Sequence, residues 1–262
     1  MTIFSRHNKA QAAPPPGCAD NTHGGDPIAS GRRELDCIRR SFDRQAPGYD
    51  RRMRANERRF DPWRRRLVHD LTGRVLEVGI GTGAGLHHYS AEIDLVGIDL
   101  SPAMLEHAKR RARLLGMVAD LRVMDAQKLD FADGSFDAVV FSLSLCTIPD
   151  PAAALREAVR VARPGSPIRY LEHVRSNVVP MALLEDIANP FTVHFQHDHV
   201  NRRIVEIAEQ AGVEGLHEER TYLGIFSLGM GQRPHSGQRW VANHTSKASL
   251  THRPPRRRAG AR

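Results

Sequence analysis

The sequence predicts an α/β protein built on an open, mostly parallel sheet with helices on both faces. Four apolar runs, at 74–79, 94–99, 120–125 and 136–143, alternate with helix-period segments at 84–90, 102–115 and 151–162. Alternation of that kind makes a parallel sheet covered on both sides. A glycine loop, Gly79-Ile80-Gly81-Thr82-Gly83-Ala84-Gly85, directly follows the first run. Acids, Glu77, Asp99 and Asp125, fall at or beside the ends of three runs.

The elements follow in chain order. Residues 1–31 hold Pro14-Pro15-Pro16-Gly17 and Gly24-Gly25 with almost no apolar periodicity, and read as a disordered tail. Residues 32–72 read as a helical lid, in which many arginines are interspersed with acids. Leu35, Ile38 and Phe42 recur there at helical spacing, and Asp61-Pro62 reads as a cap and first-turn proline opening a further helix with Trp63, Leu67 and Val68. The main domain spans 73–234, with a fifth strand, Pro167–His173, after the Pro164-Gly165 turn. Asp198 is expected to cap a helix bearing Val200, Ile204, Ile207, Ala208 and Ala211, stopped by Gly212. Segments 216–223 and 225–232 supply the closing antiparallel strands, and 235–262 reads as a disordered basic tail.

The glycine loop sets the chemistry. Without a Cβ the backbone can turn tightly and approach a ligand closely. Gly79, Gly81 and Ala84 formally fit the dinucleotide fingerprint. Glu77 argues against a pyrophosphate, which its carboxylate would repel, and for a ligand with an ammonium group and ribose hydroxyls. Asp99, 22 positions after Glu77, can hold a ribose diol or cap the helix that starts at Ser101-Pro102. Glu77, Asp99, Asp125 and Ser142 all fall at strand carboxyl ends, where ligands bind in such sheets.

Together, Glu77-Val-Gly-Ile-Gly-Thr-Gly, Gly97-Ile-Asp-Leu-Ser-Pro-Ala-Met-Leu105, Asp125-Ala126 and Arg163-Pro-Gly165 resemble the class I S-adenosylmethionine-dependent methyltransferases, over roughly Phe42 to Arg233. The resemblance implies a Rossmann-like, seven-stranded sheet and S-adenosyl-L-methionine as cofactor. It implies that Gly79, Gly81 and Gly83 line the cofactor's methionine and ribose, and that Asp99 binds the ribose hydroxyls. Leu100 and Met104 would lie near the adenine, with Asp125 and its neighbour Ala126 near the amino group. Tyr49 resembles a lid tyrosine that closes over the methionine end. Ser166 departs from the pattern, since the family more often carries a second glycine after Pro-Gly. Plain structural roles stand beside these: Asp125 as a turn acid, Met104 as helix core, Tyr49 as a packing aromatic.

Methyl transfer from a sulfonium is an in-line displacement from an activated leaving group, so alignment and exclusion of water matter most. If the acceptor must lose a proton, His173 at the end of the fifth strand is the candidate catalytic base, with a hydrogen-bonded structural histidine as the alternative. Ser142–Asp150, Glu172-His173-Val174 and Asp198 look similar to the microsomal thiol S-methyltransferases, and the general pattern is also similar to bacterial phospholipid N-methyltransferases. The Asn/Asp-Pro-Pro-Tyr signature of enzymes that methylate nucleic-acid amines is missing from the segment after the fourth strand. The expected acceptor is therefore small or lipid-like, methylated at N, O or S, and not nucleic acid. No metal is expected, because His194, His197, Asp198 and His199 match no standard ligand spacing.

The formal net charge is +8. Seven cations, from Arg239 to Arg262, sit in the tail with no acid. Such a tail can touch nucleic acid or an anionic membrane, although a solvated tail is the preferred reading. The basic amphipathic lid can rest on a lipid surface, giving peripheral membrane contact, but packing over the cofactor is preferred. Cys18, Cys37 and Cys146 form no C-x-x-C pair, and no apolar run reaches the roughly 20 residues of a membrane span or forms a signal-peptide core. A cytoplasmic enzyme is expected. The competing readings are a non-catalytic cofactor-binding protein with a nucleic-acid-binding tail and, more weakly, an NAD-type oxidoreductase.

Overall fold

The computed structural model describes residues 27–235. The predicted tails at 1–26 and 236–262 lie outside the described residues. Seven strands form one sheet in the order β3-β2-β1-β4-β5-β7-β6. They are β1 Arg74–Val78, β2 Asp94–Asp99, β3 Ala119–Val123, β4 Ala138–Ser142, β5 Pro167–His173, β6 Glu214–Thr221 and β7 Phe226–Gln232. Neighbours from β3 to β5 are parallel, and β7 runs antiparallel to both β5 and β6. The helices are α1 Pro27–Gln45, α2 Tyr49–Val68, α3 Pro102–Leu114, α4 Pro151–Val161, α5 Val179–Gln196 and α6 Ile204–Gln210.

Strand parity divides the core into two layers. Leu76, Val78, Val139, Phe141, Ile168 and Tyr170 pack on one face. Val75, Ala138, Val140 and Leu171 face the other way, against Phe60, Leu67 and Val68 of α2. Side chains alternate along a strand. Glu77, Ser142 and His173 therefore share the parity of this second layer and lie under the lid.

Several expectations need correction. The helix predicted to open at Asp61-Pro62 does not start there, because α2 runs through Pro62. Phe60, Arg64, Leu67 and Val68 recur on one face and are buried, so tertiary packing overrides the proline's lost N–H. The segment 84–90 forms only a single 3₁₀ turn, Leu86–His88, since positive φ at Gly79, Gly81 and Gly83 keeps the preceding chain out of helix. Asp198 caps nothing: α6 begins at Ile204 with Arg203 before it. An unpredicted helix, α5, fills 179–196. In addition, α1 starts at Pro27, inside the expected tail.

Candidate functional site

A cavity opens at the carboxyl ends of β1, β2, β4 and β5, roofed by α1 and α2. This is where the strand order reverses, between β1 and β4. Of the residues singled out from the sequence, Tyr49, Gly79, Gly81, Asp99, Leu100, Met104, Asp125, Ala126, Ser142 and His173 line it. Glu77 and Gly83 do not reach its wall. Glu77 is buried beneath the loop, and a Cβ on Gly83 would strike Leu86 at 2.6 Å and so faces the interior.

The loop geometry leaves room for a ligand. Gly79 has φ +74°, and a Cβ there would lie 2.4 Å from that of Ser144. Gly81 has φ +56° and nothing within 4 Å of its Cβ position, so its backbone faces open space. Asp99 holds the loop in place: Oδ2 accepts the Gly81 N–H at 2.9 Å and Oδ1 the Ser101 N–H at 2.8 Å. Burial pushes the Asp99 carboxyl up to about 6, with those amides opposing. The α3 cap is Ser101, whose Oγ accepts the Met104 N–H at 3.1 Å, so Asp99 is not the cap. Asp125 accepts the Gln127 N–H at 2.9 Å, an Asx-type turn at the cavity rim.

Glu77 is buried and pushed up to about 7 by desolvation, which the Tyr89 hydroxyl and Arg64 oppose. Its Oε2 has no hydrogen-bond partner among the described residues. Arg64, which the sequence reading missed, reaches in from α2. It pairs with Glu57, donates to Ser142 Oγ at 3.1 Å, and lines the cavity. Its signal was the helical spacing Phe60, Arg64, Leu67, which places an arginine on the buried face.

The lid is tied to the sheet through side chains. Asp43 of α1 accepts from Ser101 Oγ at 2.6 Å and the Ala103 N–H at 3.2 Å. Asp50 of α2 accepts from Thr82 Oγ1 at 2.7 Å and pairs with Arg111 at 2.6 Å. Asp61 Oδ1 lies 2.9 and 3.0 Å from Nε2 of His87 and His88. The ligand-type atoms of these three lie within 4.8 Å of one another, but Arg58 and Arg111 line the same surface pocket and disfavour a bound cation there.

At the β4–β5 end, Glu172 is buried and pushed up to about 7 by desolvation. It accepts the N–H groups of Ser144 and Leu145 at 2.8 Å each and of Cys146 at 3.3 Å, fixing the loop after β4. His173 lines the cavity, 4.9 Å from the Phe226 ring, and burial lowers its imidazole below the usual range, with Asp198 opposing. Among the described residues its Nδ1 and Asp198 Oδ1 have no hydrogen-bond partner, and its Nε2 lies 3.9 Å from Glu185 Oε1. His199, beside Asp198, is lowered to about 4 by burial. His197 is lowered likewise, and neither lines the cavity.

Comparisons with known proteins identify the family. A methyltransferase-domain family model matches residues 76–169. A phosphatidylethanolamine N-methyltransferase of Cereibacter sphaeroides is 35% identical over 188 residues, 68% of this chain and 91% of that protein. A demethylmenaquinone methyltransferase of Renibacterium salmoninarum is 38% identical over 154 residues, 55% of this chain and 62% of that protein. Phosphoethanolamine N-methyltransferase 2 of Haemonchus contortus, solved with S-adenosyl-L-methionine, superposes with a TM-score of 0.55 at 18% identity, covering 65% of this chain and 51% of that one. That likeness shows the fold alone.

Proposed function

This chain belongs to the class I S-adenosylmethionine-dependent methyltransferases, and we propose that its acceptor is the amine of a lipid-like molecule with a phosphoethanolamine-type headgroup. The cofactor is S-adenosyl-L-methionine, which supplies an electrophilic methyl group on a sulfonium. Every other step falls to the chain's own side chains.

The cofactor-facing roles follow from unfilled geometry. The open backbone at Gly81 gives room for close approach, and Asp99, held at its rim, can accept from a ribose diol. Leu100, Met104, Asp125 and Ala126 line the wall suited to an adenine. Arg64, which lines the cavity, suits a carboxylate, and Glu77, buried behind the wall with Oε2 unpartnered, sets a negative potential beside it that suits an ammonium, so the pair favours an amino-acid zwitterion.

The observation that carries the acceptor class is the pair of unpartnered polar atoms at the β5 end, His173 Nδ1 and Asp198 Oδ1. An amine is protonated near neutral pH and must lose a proton before its lone pair can attack. Asp198 can attract the ammonium, and an imidazole lowered by burial stays neutral and can take the proton. Leu35, Phe42, Met53, Phe60 and Phe226 give the same cavity apolar walls for a lipid-like body. The N-methylating relative from Cereibacter sphaeroides, spanned over 91% of its length, supports this reading. Carbon methylation of a quinol is the second reading, on the demethylmenaquinone relative.

The test supplies purified protein with labelled S-adenosylmethionine and either phosphatidylethanolamine or a demethylmenaquinol. Label in an N-methylated lipid is expected. Label in the quinol alone would overturn the proposal.

A further inference from the structure

An exposed apolar ridge runs along α5, whose inward Glu185 lies 3.9 Å from the cavity residue His173. On α5, Val179, Leu183, Ile187 and Phe191 recur every fourth residue and are 78, 60, 62 and 65% exposed. Residues so spaced share one helix face. The inward face of the same helix carries Ala182 and the buried acid Glu185, which lies 3.9 Å from His173. A helix on a water-soluble surface normally does the reverse, burying its apolar face.

The β6–β7 hairpin continues the ridge. Its tip is Tyr222-Leu223, both at positive φ, 51° and 60°. Two bulky residues in the left-handed region are costly, and such turns normally take asparagine or glycine. Leu223 is nevertheless 63% exposed. The tip is held against the start of α5 by Ser176 Oγ, which donates to the Leu223 carbonyl at 2.5 Å. Strain spent on displaying a leucine to solvent points to a surface with something to bind.

Charge and connectivity identify the occupant. The Arg59 guanidinium sits 5.3 Å from the centre of the Tyr222 ring, so the α2 helix flanks the ridge. That helix carries eight arginines against three acids; Arg59 is exposed at the hairpin tip, whereas Arg54 and Arg58 line the surface pocket beside His87 and Arg111. An apolar ridge with an exposed arginine, Arg59, at its edge complements a bilayer with anionic headgroups. From the ridge, the Tyr222 ring lies 5.9 Å from Phe226, which lines the cavity next to His173.

We infer that α5 and the Tyr222-Leu223 tip are a docking face for an anionic phospholipid surface, set so that an amphiphilic acceptor passes from the bilayer along Tyr222 and Phe226 to His173. The α5 stripe enters the boundary between headgroups and acyl chains while Arg59 of α2 meets a phosphate. No described helix is long and apolar enough to cross a membrane, so the contact is peripheral. The inference rests on the reading of a lipid-like acceptor.

Flotation of the full chain with vesicles tests the face without turnover. Vesicles of phosphatidylcholine alone are compared with phosphatidylcholine mixed with phosphatidylglycerol. The chain should float with the anionic vesicles and less at high salt. The variant L183S/I187S/F191S, altered only at exposed positions, should lose about tenfold or more of its partition, and R59E should weaken binding to anionic vesicles alone. Unchanged melting temperature and unchanged turnover of a short-chain, monomeric phosphoethanolamine lipid would show that both variants fold.

Equal flotation of wild type and the triple variant overturns the inference, as does a folded wild type that stays with the buffer. A concentration-dependent dimer abolished by the triple variant would also overturn it and assign the face to a second copy. Flotation lost in the variant, with no phospholipid amine methylated by any form, would keep the face and refute the acceptor reading.

Discussion

Replacing Asp99 by alanine separates the cofactor role of this carboxylate from its role in the loop. Its oxygens hold the Gly81 and Ser101 amides at 2.9 and 2.8 Å. A hydrogen bond to a charged group contributes about 1.5–3 kcal/mol, so losing two bonds to a ribose diol costs at least about 3 kcal/mol, roughly a hundredfold in Kd. The two orphaned amides cost about 2 kcal/mol more in stability, or about 5 °C in Tm for a domain of this size. Ser101→Ala is the control, since it removes the α3 cap for about 1 kcal/mol and the tie to Asp43 of the lid while leaving the Asp99 carboxylate in place. Calorimetric titration with S-adenosylhomocysteine reads the difference. If Asp99→Ala binds as well as Ser101→Ala, Asp99 serves the loop only. The same carboxyl sits at about 6, and its ionised form is the better acceptor. Wild-type affinity should therefore be full above that value and fall as pH drops through it, a trend missing from Asp99→Ala.

Glu172→Ala leaves the Ser144, Leu145 and Cys146 amides without an acceptor in the core. The cost is about 3 kcal/mol or more, a drop of about 10 °C by calorimetry, and an unchanged Tm would refute the anchoring role. His173→Gln should lower kcat about a hundredfold while affinity for S-adenosylhomocysteine stays put. In the wild type the rate should fall as pH drops through the lowered imidazole value, and that limb should vanish in the variant. A retained kcat would remove His173 from the chemistry. Glu77, held near 7 against an ordinary value of 4.5, contributes stability that is complete below 4.5 and lost as pH rises through 7. Melts of Glu77→Gln across that window should show a shallower fall than the wild type, and parallel curves would show that Glu77 is not the group responsible.

What could be read from the sequence was whatever local spacing determines. The strand runs, the glycine loop and the acids at the strand ends depend on residues a few positions apart, and β2 and β5 have the predicted bounds. That Glu77, Ser142 and His173 share one face was not legible, because it depends on the register between strands, Glu77 opposite Val140 and Ser142 opposite Leu171. The lid was hard to read because its contacts are remote. Arg64 meets Ser142 across 78 positions, and Asp61 reads as a cap until His87 and His88 are found beside it. The α5 helix failed for another reason. Its apolar residues face out and Glu185 faces in, so a reading that takes the apolar stripe as the buried face has no place to put it. A helix whose pattern is reversed in this way violates the rule for a protein surrounded by water, and it obeys the rule again if the solvent over that face is a bilayer.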